Sequence, residues 1–165
     1  MAAIGPLVER ISGGRFRLRL TREERDLLRS LPDQLRGLLP TDDPALRRLR
    51  PPAYEDDPER EAEYRRLVGD DLLRQRLETL EVMRSTIDAD ILDEDQLAAW
   101  LGTLNDLRLV LGTRLEVTEE LYEEGMPEDD PRAPAFGLYQ FLGWLEEHLV
   151  AALAGHVEPN EGGQR

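Results

Sequence analysis

Residues 93–124 contain a helical pattern with almost no polar face. Asp93-Glu94-Asp95-Gln96 forms a capping box, and from it Leu97, Trp100, Leu101, Leu104, Leu107, Leu111, Leu115 and Leu121 recur at helical spacing. Leu97, Leu101, Leu104, Leu111 and Leu115 project to one side. Gly102, Leu109, Val110, Thr113 and Val117 project to the other, where Asp106 is the main charge. A helix that is apolar nearly all round has to be enclosed by other elements. The chain is therefore expected to fold around this segment as the central member of a bundle, with Gly102, Gly112 and Thr113 permitting close approach. Unbroken to Glu124, the helix would be roughly 45 Å long, and Gly112 is its weak point.

Arg108 falls in the middle of the apolar side, within LNDLRLVLGTRL. A buried guanidinium requires a carboxylate and several carbonyls, or its desolvation costs several kcal/mol. Asp71 is the leading partner from the sequence, because it lies on the apolar side of the first half of its own helix; Glu146 and Asn105 come next. Two readings follow. One is an internal pair that fixes helix register. The other is an anion pocket in which Arg108 and Arg114 meet a phosphate or carboxylate.

The remaining pattern supplies the neighbours. Residues 3–20 read as a two-stranded β-hairpin: AIGPLVERI, a Ser12-Gly13-Gly14 turn, then RFRLRL, whose strict alternation is that of a half-buried strand. Arg15, Arg17 and Arg19 form one face, and Arg22 and Arg25 continue the basic surface into the next helix. Thr21-Arg22-Glu23-Glu24 is a second capping box, followed by a leucine stripe from Leu27 to Leu39 that Pro32 kinks or divides. Residues 40–57 are proline-rich and expected to be a mobile linker with a short helical turn near residues 45–49. Asp57-Pro58 opens a helix whose apolar stripe switches sides near Gly69; a continuous, bent helix is expected. The acidic run DADILDEDQ reads as a solvated connection between helices. A last helix covers about residues 135–154, capped by Gly155. The fold class is mainly α: about four long helices with an N-terminal hairpin, one domain over residues 1–155 and a disordered tail over 156–165.

Composition removes several chemistries. The 165 residues hold no cysteine, and all 21 basic residues are arginine, so thiol nucleophiles, lysine Schiff bases and a Walker lysine are excluded. The missing lysines read as arginine codon bias in a GC-rich genome or as avoidance of lysine modification. Counted as a calcium loop from Asp88, the acidic run puts Asp93 where glycine is required and Ala99 where glutamate is required. His148 and His156 have no second ligand at metal spacing, and Ser12, Ser30 and Ser85 lie in no nucleophile elbow. No catalytic residue, cofactor or metal is expected. Net charge is −14, with eleven arginines against seven acids in residues 1–50 and ten against 28 thereafter. Such a field opposes nucleic acid and anionic membranes except near the hairpin.

The hairpin ending in RFRLRLTREERDLLRSLPDQL, the helix containing LNDLRLVLGTRL and the final LYQFLGWLEEHLVAAL together resemble an uncharacterised actinobacterial family, the domain of unknown function DUF2017, over about residues 4–154. The resemblance implies no catalytic residues. Members are often encoded near a Clp protease adaptor, a JAMM-type metalloprotease and a sulfur-carrier protein, which implies a role beside protein turnover or sulfur transfer.

The expected function is that of a non-enzymatic interaction or regulatory protein, an adaptor among the options, with a protein partner. A homodimer would form by the basic hairpin of one copy meeting acidic helices of another. The alternatives are a nucleic-acid-binding regulator using Arg15, Arg17, Arg19, Arg22 and Arg25, and an anion or small-molecule sensor around Arg108. With no charged-then-apolar leader pattern and no apolar run of membrane-spanning length, a cytoplasmic location is expected.

Overall fold

The period-two alternation of RFRLRL builds a strand, β2 (Arg15–Leu18). The Gly13-Gly14 turn folds β1 (Val8–Ile11) back against it in antiparallel register, Val8 facing Leu18 and Ile11 facing Arg15. Both turn glycines have positive φ, +80° and +69°, a conformation open to glycine at no steric cost. Phe16 and Leu18 are buried in the core. These features belong to a computed structural model that describes residues 5–155. The expectations for residues 3 and 4, for His156 and for the tail at 156–165 lie outside the described residues.

The hairpin gains a third strand. β3 (Ile91–Asp93) pairs antiparallel with the free edge of β2, Leu92 facing Phe16, and the Leu18 amide donates to the Asp90 carbonyl at 2.7 Å. The acidic run is therefore not simply a solvated connection: Leu92 is fully buried, and only its flanks face water. Three residues are too few for a period to register in the sequence.

The leucine stripe after Thr21 divides at Ser30 into α1 (Arg22–Arg29) and α2 (Leu31–Leu38). Thr21 and Glu24 exchange the two hydrogen bonds of the capping box, at 2.8 and 3.1 Å. Pro32 sits in the first turn of α2, where a missing N–H costs nothing. In the proline-rich segment, Asp43 caps a 3-10 turn (Pro44–Leu46), and Ala45, Leu46 and Leu49 are buried, whereas residues 51–57 are exposed.

Asp57 caps α3 (Pro58–Ser85), which runs unbroken through Gly69 for 28 residues. Its second half packs on the core through Leu73, Leu77, Leu80 and Met83. Its first half, residues 58–72, contains no buried residue.

The central segment is α4 (Glu94–Leu115), opened by the Asp93–Gln96 capping box. It ends at Glu116, whose φ of 53° and ψ of 46° are left-handed, and α5 (Glu119–Glu124) starts afresh with Thr118 as its cap. The break thus falls beyond Gly112. A Cβ at Gly112 would come within 3.1 Å of a Tyr139 ring carbon, so this glycine serves the close approach of α6 (Ala133–Ala154). α4 packs against α6 on one side and the second half of α3 on another. It also meets α2, the 3-10 turn, β2 and β3, which makes it the hub of the fold. Asp106 is satisfied within this framework. Burial pushes its carboxyl above the usual carboxylate range, against the pull of Arg76 at 2.6 Å, and Arg76 also donates to the Leu49 carbonyl at 3.1 Å. Among the described residues, no helix is long and apolar enough to cross a membrane.

Candidate functional site

Arg108 looks across from α4 to α6. Its Nη1 donates to Glu146 Oε2 at 3.1 Å, and its guanidinium carbon lies 5.1 Å from the centre of the Tyr139 ring. The Arg108 side chain is 31% exposed and that of Glu146 is 14% exposed. Gly143 makes the room: a Cβ there would stand 3.2 Å from Arg108 Nε. The carboxylate partner is thus Glu146 and not Asp71. Asp71 lies on the exposed first half of α3, where it accepts from Arg74 at 2.9 Å. Projection of a single helix gives the side on which a residue lies, but not which neighbour stands opposite. The Arg108 face of α4 is covered by α6, so the first half of α3 never meets it. Arg108 Nε and Glu146 Oε1 are buried without a hydrogen-bond partner among the described residues, so the pair is monodentate.

The other residues of the anion-pocket reading do not converge on Arg108. Asn105 is exposed and lines a shallow crevice with Leu72, Arg76 and Asp106. Arg114 is exposed and lies 3.5 Å from Asp43.

The basic hairpin surface is partly spent inside the chain. Glu9 lies 3.6 Å from Arg17 and accepts from Arg19 at 3.0 Å, and Arg19 further donates to the Pro6 carbonyl. Arg25, expected at the surface, is buried: it donates to the carbonyls of Ile87, Ala89 and Leu18 and to Asp90, at 2.8 to 3.2 Å. α1 turns its Arg25 face toward the β3 connection, which sequence alone did not place there. Arg15 and Arg22 remain exposed.

An apolar groove of about 400 Å³ lies between α2, α4 and α6. Leu35, Leu38, Leu107, Leu111, Leu138 and Leu142 form its walls, with Gln34 and Arg114 at the rim. Leu38, Leu111 and Leu138 are only partly buried, so the groove offers apolar surface to solvent. Each leucine was legible as part of a helical stripe. That the three stripes leave a gap where they meet follows only from how the helices are assembled. Among the described residues, no group of three His, Cys, Asp or Glu side chains is disposed to hold a metal ion.

Comparison with known proteins adds a lineage. The chain is 31% identical over 189 aligned positions to a Mycobacterium tuberculosis protein named oxidative stress regulator AosR, covering 90% of this chain and 86% of that protein. The Mycobacterium bovis protein of the same name matches to the same extent. A Mycobacterium leprae relative is 32% identical over 187 positions, covering 88% of this chain and 86% of its own length. No solved structure matches the chain. Residues 8–153 match the family described as Domain of unknown function (DUF2017), and the chain belongs to that family.

Proposed function

We propose that this member of the DUF2017 family is a regulator that acts by protein contact rather than by catalysis. Its groove between α2, α4 and α6 would seat an amphipathic segment of a partner. The observation that carries the reading is the groove itself: apolar walls open to solvent, with the exposed Arg114, paired with Asp43, beside its rim. Helical partners commonly dock an apolar face into such a groove and set register by a rim charge. A regulatory role is supported by the names of the mycobacterial relatives.

Those names concern oxidative stress, yet this chain has no thiol to oxidise. Of the described methionines, Met83 is fully buried and Met126 is half-buried in the loop between α5 and α6. With no thiol in the chain, the redox signal is assigned to the partner, and the chain's share is recognition.

Leu138→Glu tests the reading. The side chain is partly exposed, so a glutamate there can reach water while placing a charge in the groove. In a strain lacking the gene, the wild-type chain is expected to restore survival of peroxide challenge, and Leu138→Glu is expected to leave survival at the level of the deletion. The purified variant should keep wild-type helix content and a melting temperature within a few degrees. Full complementation by a folded Leu138→Glu protein would remove the groove from the account.

A further inference from the structure

We infer that the first half of α3 pairs antiparallel with the same segment of a second copy of this chain. Residues 58–72 extend for four turns without one buried residue. At its start Tyr54 lies edge-on to Tyr64, and the Ala53 and Tyr54 amides donate to Glu61. A helix of this length is marginal in water when so little packs on it. The segment nonetheless carries an apolar stripe. At about 100° per residue, Tyr64, Leu67, Val68 and Leu72 fall on one side, opposite the side on which Leu73 and Leu77 pack on the core. Leu67 is 69% exposed and Leu72 is 48% exposed. Contiguous exposed apolar surface of this kind marks an association site.

Charge decides between occupants and orientations. Glu63 and Arg74 flank the stripe along the same edge. In an antiparallel pair, related by a two-fold axis centred between Val68 and Gly69, each edge meets its own equivalent running the other way. Glu63 then faces Arg74 of the second copy, a contact that occurs twice. In a parallel pair the two-fold axis runs along the helices, so this edge meets the opposite edge of the second copy and Glu63 no longer faces Arg74. Like charges across a helix pair are destabilising and unlike charges set orientation. The carboxylates within the stripe are held inside the helix, Asp71 by Arg74 at 2.9 Å and Glu61 by Arg65 at 2.8 Å. The surface is therefore complementary to itself in one orientation. Four apolar side chains per copy make an interface smaller than that of a stable dimer, so association is weak and governed by concentration. This mode does not involve the hairpin arginines, and it is independent of the groove.

Sedimentation velocity on the full chain, from micromolar to millimolar concentration, tests the inference. A reversible monomer–dimer equilibrium is expected. Leu67→Glu is expected to weaken it about 100-fold without loss of helix content, because the side chain is exposed in the monomer. Glu63→Arg and Arg74→Glu are each expected to weaken it roughly tenfold. An equimolar mixture of those two variants should recover near wild-type association, since each new charge then faces its opposite. A monomer at every concentration overturns the inference. So does a dimer indifferent to Leu67→Glu, or a failure of the mixed variants to recover.

Discussion

Replacing Arg25 with alanine is expected to lower the unfolding free energy by about 3–4 kcal/mol. The side chain is 8% exposed and bridges three parts of the chain: α1, the end of β2 through the Leu18 carbonyl, and the connection into β3 through the carbonyls of Ile87 and Ala89. Truncation leaves these carbonyls without their donor, and each such orphaned group costs about 1 kcal/mol or more. The fourth contact, to Asp90, adds little. That carboxylate is 82% exposed and solvent screens the pair. Lysine should recover less than half of the loss, because one ammonium cannot span carbonyls reached by two separate guanidinium nitrogens. Urea denaturation measures both variants. A change below about 1 kcal/mol for Arg25→Ala would mean that the guanidinium faces solvent, as the sequence expectation had it.

Trp100→Ala is expected to cost about 4 kcal/mol, the other large effect. Trp100 is fully buried, and its indole Nε1 donates to Thr86 Oγ1 at 2.8 Å. Thr86 in turn donates to the Val82 carbonyl at 2.6 Å, so the first turns of α4 are latched to the end of α3. Alanine forfeits both the transfer free energy of the ring and the packing around the void it leaves. Trp100→Phe keeps most of the apolar volume and loses the latch, and should cost about 1–2 kcal/mol. Retention of wild-type stability by Trp100→Ala would place the indole outside the core.

The fold was largely readable because its strongest signals are periodic. The alternation at residues 15–20 gave β2, and both capping boxes formed as expected. The all-round apolar character of residues 97–115 identified the hub before any neighbour was known. β3 was not legible, since a three-residue strand has no measurable period and is specified by the edge it joins. The end of α4 was not legible either. Gly112 looked like the weak point, yet it is used for packing on Tyr139, and the left-handed turn falls on Glu116, which carries no such signature.

For the site, the sequence showed that Arg108 needs a carboxylate, but not which one, because the choice between Asp71 and Glu146 depends on which helix lies opposite. The same limit applies to the arginines of residues 15–25. Alternation separates the faces of a strand, but the carbonyls that hold Arg25 come from the Ile87–Ala89 connection, far along the chain. Gly143, which admits the guanidinium, gave no signal beyond a small residue within an apolar helix.

The central claim is that α4 is the enclosed hub, whereas the first half of α3 contributes no buried residue to the core. Native-state hydrogen exchange on dilute protein reads this residue by residue. Amides of residues 100–110 are expected to be the slowest in the chain, opening only with global unfolding, and those of residues 60–70 the fastest within any long helix. Exchange through α4 as fast as through the start of α3 would contradict the account.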